Sequence, residues 1–412
     1  MSSNQEIYKK KDCRLCRSQD LELILPLTPT PPGDLYLKPQ DKEKNTICYP
    51  IDLCICRECG YVHLRDTLSA SQIYPDYLYE TTSSSGLTEH FTHYAKEVYH
   101  KLAPLQGGLV IDIGSNDGTL LKAFKTLGFS SLGIDPAYNA TLKAQEHGIE
   151  TIVDFFNQGT ANRIANTHGK AKIITANNVF ANIDDMDEFV NAAKSILSND
   201  GVFIIEFAYL GDLIKYKIFD YIYHEHLSYF SIATLEKFFL KHELRLLHLS
   251  HTESKGGSFR AYFSGINNDH IQAESLEQER VKEQALQLEN KQTYTQLDQF
   301  VLSNAKEVRN IIRSHKKNGG RCIGYGASVT STTLLYHFGI GDQLDYLVDD
   351  NPAKIGTVSP GFHLPVHSSD KLNTDKPDLC IMLAWRYAKK IYMKNISSDT
   401  RFLVPMPTVE WL

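Results

Sequence analysis

From residue 109 onward, short apolar runs alternate with amphipathic segments, a pattern typical of an α/β fold. The run LVIDI at 109–113 predicts a strand that is buried on both faces of a parallel sheet. Gly114 and Gly118 bracket the turn after it, and apolar residues at helical spacing follow from Thr119. The next predicted strand ends at Asp135. This succession of strand, glycine turn, helix and strand is half of a nucleotide-binding unit.

The alternation continues through the middle of the chain. KIITANNVF, at 172–180, predicts a strand that ends in the polar Asn177 and Asn178, at the sheet edge where ligands bind. The sequence NDG at 199–201 predicts a turn into the next buried strand. In that strand, Glu206 is expected either beside a bound ligand or in a pair with a neighbour in the core.

A second unit of the same kind follows a helical connector. Residues 269–317 carry apolar side chains at three- and four-residue spacing and contain neither proline nor glycine, so they predict helix. RCIGYGASVTSTTLL, which begins at residue 321, predicts another strand, glycine turn and helix. Backbone amides around Gly324, Gly326 and Ala327 would form an anion site at the start of that helix.

Six of the eight cysteines lie within the first sixty residues, and this clustering indicates a metal site rather than disulfides. Four of them form two C-x-x-C pairs: Cys13, Cys16, Cys56 and Cys59. Four thiolates close a tetrahedral zinc shell, so the predicted zinc is structural. Cys54 or His63 could replace one ligand. The proline-rich segment between the pairs, PLTPTPPGDLYL, predicts a loop.

The net charge and the distribution of apolar residues indicate which kinds of partner and location to expect. The chain has 412 residues and a formal net charge of −6, which gives no general electrostatic reason to bind nucleic acid or an anionic membrane. The start of the sequence lacks the apolar core of a signal peptide, and no apolar run reaches the length of a membrane span. We therefore expect a cytoplasmic protein with more than one domain.

The glycine turn of the central unit indicates which cofactor it binds. A dinucleotide site requires G-x-G-x-x-G, but Asn116 occupies the second glycine position. Asp112 and Asp117 make the turn acidic, which disfavours a diphosphate and suits the cationic sulfonium and amino groups of S-adenosylmethionine. Asp135 can accept both hydroxyls of a ribose. The sequence thus predicts a class I methyltransferase core. Its predicted cofactor residues are Asp112, Gly114, Asn116, Gly118, Asp135, Asn177 and Asn178.

The densest chemical cluster is YIYHEHLSYFS at 221–231, which holds two histidines, a glutamate and three tyrosines. A histidine can take a proton near neutral pH, and Glu225 can orient it, so the cluster predicts general base catalysis. A metal site is the alternative. If the segment is extended, His224 and His226 face opposite sides, which argues against a shared metal.

Two further segments carry polar groups with less defined roles. Residues 74–90 contain Tyr77, Tyr79 and a run of hydroxyl side chains, which suit a polyhydroxylated ligand but equally a solvated linker. The sequence SKGGSFR predicts a tight turn that presents Lys255 and Arg260, either to a phosphate or to the surface.

Several motifs together resemble those of the three-domain sugar C-methyltransferases of deoxysugar pathways. They are the cysteine pairs, YLYETTSSSGLTEH, IDIGSNDGTLLKAF, NNVFAN, YHEHLSYFS, KGGSFR, IGYGAS and VDDNPAKIG with PGFHLPV. The likeness covers nearly the whole chain. It implies a zinc-binding module at 1–80, an S-adenosylmethionine-dependent methyltransferase core at 81–265, and a connector with a C-terminal Rossmann-like, nucleotide-sugar-binding domain at 266–412.

The resemblance also implies a substrate and a mechanism. Such enzymes act on nucleotide-linked keto-deoxysugars, and the histidine here numbered His226 would remove the proton from the carbon beside the ketone. The enolate would then attack the methyl group of S-adenosylmethionine. Glu225 would orient polar groups, while Tyr223 and Tyr79 would line the sugar pocket. The expected substrate-binding residues are Tyr77, Lys255, Arg260, Tyr325, Gly326, Ala327 and Lys354.

Three motifs depart from the family pattern. Asn182 stands where the family usually has histidine, GASVT replaces GAPAK in the C-terminal glycine loop, and LAWRYAKKI replaces LAWN. The sugar, its nucleotide and the methylated atom therefore stay open at this point. The alternatives are an N- or O-methyltransferase on a nucleotide sugar or phosphorylated metabolite, and an inactive scaffold with a zinc module. A monomer is compatible with the sequence.

Overall fold

The computed structural model describes residues 7–41, 46–69, 86–102, 107–252, 256–268, 273 and 275–412. Within these residues the strands form four sheets, of two, four, seven and six strands. Three of the predicted ligand residues, Tyr77, Tyr79 and Lys255, lie outside the described residues.

The amino-terminal strands are β1 (Ile7–Lys9), β2 (Leu21–Leu25), β3 (Leu53–Cys56), β4 (Val62–Leu64) and β5 (Asp66–Leu68). The central elements are α1 (Leu87–Lys101), β6 (Leu109–Ile113), α2 (Thr119–Thr126), β7 (Ser130–Ile134), α3 (Tyr138–Glu146), β8 (Glu150–Ile152), α4 (Gln158–Thr167), β9 (Ala171–Asn177), α5 (Met186–Ile196), β10 (Leu197–Ala208), α6 (Leu210–Tyr216), β11 (Ser228–Tyr229), α7 (Ile232–Lys241), β12 (Leu244–Thr252) and β13 (Ser258–Gly265).

The carboxy-terminal elements are α8 (Ser275–Gln284), α9 (Lys291–Lys317), β14 (Cys322–Tyr325), α10 (Val329–Phe338), β15 (Leu347–Asp349), β16 (Val366–Ser368), α11 (Lys371–Asp375), β17 (Leu379–Met382), α12 (Ala388–Lys394), β18 (Arg401–Val404) and β19 (Glu410–Trp411). Single 3-10 turns lie at Pro39–Asp41, Phe180–Asn182, Phe219–Tyr221, Gly341–Gln343 and Trp385–Tyr387.

The amino-terminal module is a small antiparallel sheet. Strands β2, β3 and β4 pair in sequence, and β11 from the central part of the chain adds the fourth strand beside β4. Every residue of β3, LCIC, is buried because both faces of this strand are covered. The proline-rich segment at 26–37 contains no helix, as predicted.

The central sheet has the order β12-β13-β10-β9-β6-β7-β8, and β13 is antiparallel to both of its neighbours. The strands from β10 to β8 are parallel. Seven strands in this order, with one reversed strand, form the class I methyltransferase fold that the sequence predicted. The carboxyl ends of β6, β7 and β9 therefore meet at one edge, where ligands bind in open α/β sheets.

One prediction in this sheet is wrong. The NDG sequence at 199–201 does not form a turn, because β10 runs without a break from Leu197 to Ala208. Leu197 pairs with Ala171 and Val202 with Ile173, so β9 pairs with β10 on both sides of the NDG sequence. An irregular register absorbs the extra residues. Pairing with a neighbouring strand thus outweighs the local preference for a turn.

The carboxy-terminal sheet has the order β16-β15-β14-β17-β18-β19, and only β19 is antiparallel within it. The predicted connector is helical but consists of two helices, α8 and α9. Asn290 ends the gap between them, since its side chain accepts a hydrogen bond from the Gln292 amide and caps α9.

The three parts of the chain share their hydrophobic interiors. One core joins the module, the segment at 210–229 and the carboxy-terminal unit, while a second fills one side of the central sheet. The segment that holds the two histidines is thus packed largely by the neighbouring units. None of the helices among the described residues combines the length and the apolar character that a membrane crossing requires.

Candidate active site

The glycine turn after β6 is shaped by residues with positive φ. Gly114 has φ of 75°, and a Cβ atom there would overlap the side chain of Val179. Asn116 has φ of 49°, a conformation that asparagine tolerates better than most residues. The amide of Asn116 therefore points back toward the end of β7, where it meets a carboxylate.

That carboxylate is Asp135. Its two oxygens accept hydrogen bonds from the amides of Asn116, at 2.9 Å, and Ala137, at 2.8 Å. Burial raises the pKa of Asp135, and the two amides oppose that shift. Since each carboxylate oxygen can accept more than one hydrogen bond, both remain chemically able to accept the hydroxyls of a ribose.

Asp112 lies one residue before the end of β6 and is 4% exposed. Its carboxylate accepts from Thr175 Oγ1 at 2.6 Å and from Asn177 Nδ2 at 3.4 Å. Burial raises the pKa of Asp112 to about 7. Among the described residues nothing donates to the buried Oδ1 of Asn177. A cationic amino group bound here would face a carboxylate and an amide oxygen, so the site fits the amino group of S-adenosylmethionine.

A pocket opens between β9, β10 and the segment that carries the histidines. It brings together two residues that the sequence singled out separately, Asn178 and His226. Its other lining residues are Ala181, Phe207, Ala208, Tyr209, Leu213, Ile218, Tyr221, Ser228, Tyr229 and Gly257. Asp112 and Asp135 lie at the same edge of the sheet but do not line this pocket.

The ring of His226 is fixed at both nitrogen atoms. Its Nδ1 lies 3.3 Å from the carbonyl oxygen of Tyr221, and its Nε2 lies 2.9 Å from the hydroxyl of Tyr223. The carbonyl can only accept, so this contact requires a proton on Nδ1, and in the neutral ring Nε2 then accepts from Tyr223. Burial raises the pKa of Tyr223 well above its usual range, which keeps that hydroxyl protonated. Glu225 beside them is partly exposed.

His224 and His226 are separated by a turn, not by strand alternation as predicted. The amide of His226 donates to the carbonyl of Tyr223 at 3.0 Å, which closes the turn. Nε2 of His224 bonds the carbonyl of Tyr49 in the amino-terminal module at 3.2 Å. Burial lowers the pKa of His224 to about 4. His224 is therefore a weak base outside the pocket, and a metal shared by the two histidines has no geometric support.

The prediction that a tight turn presents Arg260, either to a phosphate or to the surface, is wrong. Arg260 lies inside β13, is 2% exposed and donates two hydrogen bonds to Glu206, at 2.8 and 3.0 Å. Glu206 also contacts His90 Nε2 at 2.7 Å. Burial alone would raise the pKa of Glu206, but His90 and Arg260 lower it. Both residues therefore belong to a buried ion pair, and the alternative role for Glu206 as a paired core carboxylate fits the structure.

The predicted anion site in the carboxy-terminal glycine loop is also wrong. The amides of Gly324 and Gly326 donate to backbone carbonyls, and the amide of Ala327 donates to the Asp349 carboxylate at 2.6 Å. These amides are therefore already used within the protein. The hydroxyl of Tyr325 donates to Asp350 at 2.9 Å.

Lys354, the remaining expected substrate residue of the carboxy-terminal unit, lies beside the amino-terminal module. Its Nζ is 2.8 Å from Asp34 and lies over the ring of Tyr36, 4.4 Å from the ring centroid. This lysine therefore stands where two units of the chain meet.

The four predicted zinc ligands converge. Their sulfur atoms all lie within 4.8 Å of one another, with 3.6 Å between Cys13 and Cys59 and 3.5 Å between Cys16 and Cys56. Tetrahedral zinc with bonds of about 2.3 Å separates its sulfur ligands by about 3.8 Å, so this cluster fits the ion. Cys54 and His63 do not belong to this cluster. His63 instead contacts Arg14.

Three family models match the chain in succession. They are described as a zinc binding domain at residues 13–74, a methyltransferase domain at 87–249 and a C-methyltransferase C-terminal domain at 253–407. The chain is also 29% identical to the C-methyltransferase NovU of Streptomyces niveus over 408 residues, which cover 98% of this chain and 97% of that protein. The three matched domains and the likeness to NovU give this chain the domain order of a three-domain C-methyltransferase.

Two further relatives cover less than half of this chain. A ubiquinone biosynthesis O-methyltransferase of Azorhizobium caulinodans is 30% identical over 120 residues, which cover 29% of this chain and 46% of that protein. Magnesium protoporphyrin IX methyltransferase from Synechocystis PCC 6803, solved with bound SAH, is 16% identical over 43% of this chain and 83% of its own, with a TM-score of 0.35.

The family and the fold together define the reagents of this C-methyltransferase. Its central unit is a class I methyltransferase core, so the enzyme depends on S-adenosylmethionine, for which Asp112 and Asp135 present a fitting site. Its four-cysteine cluster is a zinc site. All four positions are thiolates, which leaves no coordination position for water in the C-methyltransferase.

Sequence reasoning missed two groups of residues in the C-methyltransferase. Asp349 ends β15 and binds the glycine loop before it, as Asp135 does, and the rule that identified Asp135 would have found it. Asp220 and Arg386 form a buried pair next to the histidine segment. The only sequence signal for this pair was the departure from the LAWN motif.

Proposed function

We propose that this C-methyltransferase transfers a methyl group from S-adenosylmethionine to the carbon beside the ketone of a nucleotide-linked keto-deoxysugar. His226 acts as the general base that forms the enolate. The observation that carries this proposal is the pocket lined by both His226 and Asn178, at the edge of the sheet where Asp112 and Asp135 lie. A histidine in this pocket would act as the base beside the edge of the sheet where the cofactor would bind.

The presence of a positioned base favours carbon as the methyl acceptor. A carbon next to a ketone becomes nucleophilic only after it loses a proton, whereas an oxygen or nitrogen acceptor needs a weak base or none. The Nδ1–H of His226 is held by the Tyr221 carbonyl, so Nε2 is the atom that takes the proton. Carbon methylation uses this arrangement, and the other two reactions do not require it.

The chain's own residues hold the methyl donor and the substrate. Asp112 and Asn177 face the amino group of S-adenosylmethionine, and Asp135 faces the ribose. When bound, the donor supplies an electrophilic methyl group. Asn116 positions Asp135 through its backbone amide, so the glycine turn fixes the ribose site.

Proton removal rearranges the hydrogen bonds around His226. In the free protein the Tyr223 hydroxyl donates to Nε2, the atom that must accept the substrate proton. Tyr223 therefore has to release Nε2 when the substrate enters. Its neutral hydroxyl is then available to donate to the oxygen of the forming enolate. The Tyr221 carbonyl stabilises the imidazolium through the Nδ1–H bond.

The nucleotide part of the substrate is assigned to the carboxy-terminal unit. With the Gly324, Gly326 and Ala327 amides engaged, this assignment rests on the side chains of Tyr325 and Lys354. Lys354 supplies a cation beside the module, close to the loop that contains Asp34. The roles of Tyr77, Tyr79 and Lys255 in the sugar pocket remain predictions from the sequence.

A methyl-transfer assay tests the proposed substrate class. Keto-deoxysugars linked to dTDP, CDP and GDP are incubated with the enzyme and S-adenosylmethionine, and the position of the new methyl group is read by NMR. A new carbon–carbon bond beside the ketone supports the proposal. Methylation only at oxygen or nitrogen contradicts it.

The base is tested separately by exchange of the substrate C–H with solvent deuterium in the absence of S-adenosylmethionine. His226→Asn should lower turnover by about 10²–10⁴-fold and abolish the exchange, while the affinity for S-adenosylmethionine changes little. His224→Asn is the matched control, since His224 is a buried histidine of the same segment that bonds Tyr49. If exchange survives in His226→Asn and is lost in His224→Asn, the base is His224.

A further inference from the structure

The segment before the histidines is held by the carboxy-terminal unit. Phe219 stacks on Phe338 with 5.8 Å between ring centroids and 4° between ring planes. The carbonyl of Ile222 accepts a hydrogen bond from Thr333 Oγ1 at 3.2 Å. The hydrophobic core that contains this segment is built mainly with that unit and with the amino-terminal module, while Ala208 at the end of β10 packs against its border. The position of the catalytic turn is therefore set from outside the methyltransferase core.

The strongest of these contacts is an ion pair at Asp220. This carboxylate is fully buried and accepts from Trp385 Nε1 at 3.0 Å. Nη1 of Arg386 donates to both of its oxygens, at 3.0 and 3.1 Å. Arg386 is the one cation paired with Asp220 in the part of the chain that the structure describes, and losing it would leave the buried charge unpaired.

The same arginine touches the next residue, Tyr221. Its guanidinium lies over the Tyr221 ring, 4.4 Å from the centroid. The carbonyl of Tyr221 is the group that accepts the Nδ1–H bond of His226. One side chain thus fixes both Asp220 and the ring of the residue whose backbone determines the tautomer of His226.

We propose that Arg386 is a positioning residue for His226. It acts from the carboxy-terminal unit through the side chain of Asp220 and the ring and carbonyl of Tyr221. The inference rests on the proposed role of His226 as the base. Arg386 stands in the motif LAWRY, where the family resemblance expects asparagine, so this chain carries a positioning contact at a point where its sequence departs from LAWN.

A purely structural role for the pair makes a different prediction. A buried ion pair that only stabilises the fold changes the free energy of unfolding and leaves the environment of His226 unchanged. A positioning role changes the imidazole of His226 in the folded protein. The environment of that imidazole therefore separates the two roles.

The first measurement is the imidazole ¹⁵N spectrum of histidine-labelled enzyme without substrate. The chain has 16 histidines, and the signals that vanish in His226→Asn belong to His226. In Arg386→Gln we expect the Nδ1 and Nε2 shifts of His226 to move toward a mixture of tautomers. The matched control is Arg321→Gln, which removes another arginine of the carboxy-terminal unit, paired with Asp375 and 48% exposed. It should leave the His226 shifts unchanged.

The second measurement is turnover on the keto-sugar that the enzyme methylates best. Arg386→Gln should lower kcat by about 10–100-fold, on the scale of a displaced catalytic group, with little change in KM or in S-adenosylmethionine affinity. Arg386→Lys keeps the cation but not the planar stack, so it should fall between the wild type and Arg386→Gln. If Arg386→Gln fails to fold, Arg386→Lys is measured against Arg321→Lys.

The outcomes separate this inference from the proposed function. Unchanged His226 shifts in a folded Arg386 variant overturn the inference, even if the melting temperature falls. Shifted signals together with full activity of His226→Asn would mean that Arg386 positions a histidine that is not the base, which overturns the proposed function and the catalytic part of the inference. If the His226 signals shift in the Arg386 variant, and kcat falls in both that variant and His226→Asn, the inference and the proposed function are both supported.

Discussion

The chain contains two units built from a strand, a glycine turn and a helix. In both units, a carboxylate accepts hydrogen bonds from backbone amides at the turn. In the central unit, Asp135 accepts from the amides of Asn116 and Ala137. In the carboxy-terminal unit, Asp349 accepts from the amide of Ala327 at 2.6 Å and from that of Asn351 at 2.7 Å. A carboxylate at the end of the second strand therefore binds the turn after the first strand in both units.

The two units differ in the residue that precedes this turn. The central unit has Asp112, a buried carboxylate at the ligand-binding edge. The corresponding position of the carboxy-terminal unit is Gly324, where a Cβ atom would lie 2.7 Å from Leu383 Cδ1 and 2.8 Å from Leu347 Cδ2. In the carboxy-terminal unit, leucine side chains therefore fill this position. In the central unit, the same position holds a carboxylate that can face a cation.

The edges of the two sheets also have different neighbours. The carboxy-terminal edge is covered by the proline-rich loop of the amino-terminal module. Thr332 Oγ1 donates to the carbonyl of Gly33 at 2.8 Å, and the Tyr36 hydroxyl lies 3.4 Å from the carbonyl of Ser328. The central edge opens into the pocket that contains His226. The carboxylate that binds the turn is common to both units, but the residue before the turn and the cover differ, and the central edge is the one that offers Asp112 to the methyl donor.

The largest effect that we expect concerns the amino-terminal module, whose proline-rich loop covers the carboxy-terminal edge. Cys56→Ser should remove zinc and destabilise the module by more than about 5 kcal/mol, since structural zinc supplies about 10–16 kcal/mol in small zinc domains. Hydrogen exchange should then speed up at 328–333, under the loop, more than at 114–120. Metal analysis and exchange mass spectrometry measure both effects.

Cys48→Ser is the control for the zinc prediction, because Cys48 is an exposed cysteine of the same module outside the cluster. It should retain about one zinc ion per chain. A stable, metal-free Cys56→Ser variant would contradict the role of zinc, and equal loss of protection at both edges would contradict the difference between them.

The next effect tests the shared carboxylate. Asp135→Ala should weaken the binding of S-adenosylmethionine by about 1–3 kcal/mol, the range for hydrogen bonds to a charged group. Asp349→Ala removes the same device from the other unit, so it should reduce stability without changing this affinity. Isothermal titration calorimetry and thermal unfolding distinguish the two. Equal losses of affinity would show that the two edges are not different in function.

The smallest effect is a pH dependence that belongs to Asp112. Burial raises its pKa from 3.8 to about 7, so the free protein keeps Asp112 protonated below neutral pH and loses this part of its stability as pH rises from about 4 to 7. A cationic amino group binds the ionised form. Affinity for S-adenosylmethionine should therefore rise by about tenfold between pH 6 and pH 8.

Asp112→Asn provides the reference for that measurement. It should bind S-adenosylmethionine more weakly and show a flatter pH profile over the same range. A wild-type profile that is already flat, or one that stays steep in Asp112→Asn, would assign the titration to another group.

Local patterns predicted the parts of the molecule that depend on short spacing. The two C-x-x-C pairs identified the zinc ligands, because the spacing within each pair lets both cysteines bind the same ion. The glycine turn identified Asp135, because the residue that ends the next strand reaches that turn in every unit of this type. The same rule, applied after Gly326, would have predicted Asp349. The strands and helices of both units were predicted for the same reason.

Predictions failed where contacts distant in sequence decide the structure. The NDG sequence at 199–201 favours a turn, but pairing with β9 on both sides holds it in a strand. Arg260 follows two glycines and so suggested a surface turn, but it pairs with Glu206 of the adjacent β10. Asp220 and Arg386 are 166 residues apart, and no local pattern marks either as the partner of the other.

The pairing of β11 with β4 also determines the order in which the molecule can assemble during synthesis. A ribosome releases both cysteine pairs early, so the nascent module can capture its metal while most of the chain is still unmade. One edge of strand β4 then stays unpaired until Ser228 and Tyr229 have left the ribosome. An open strand edge is a template for unwanted pairing with other chains. The strand that ends this exposure begins two residues after His226, so the module is completed by the same stretch of chain that carries the proposed base.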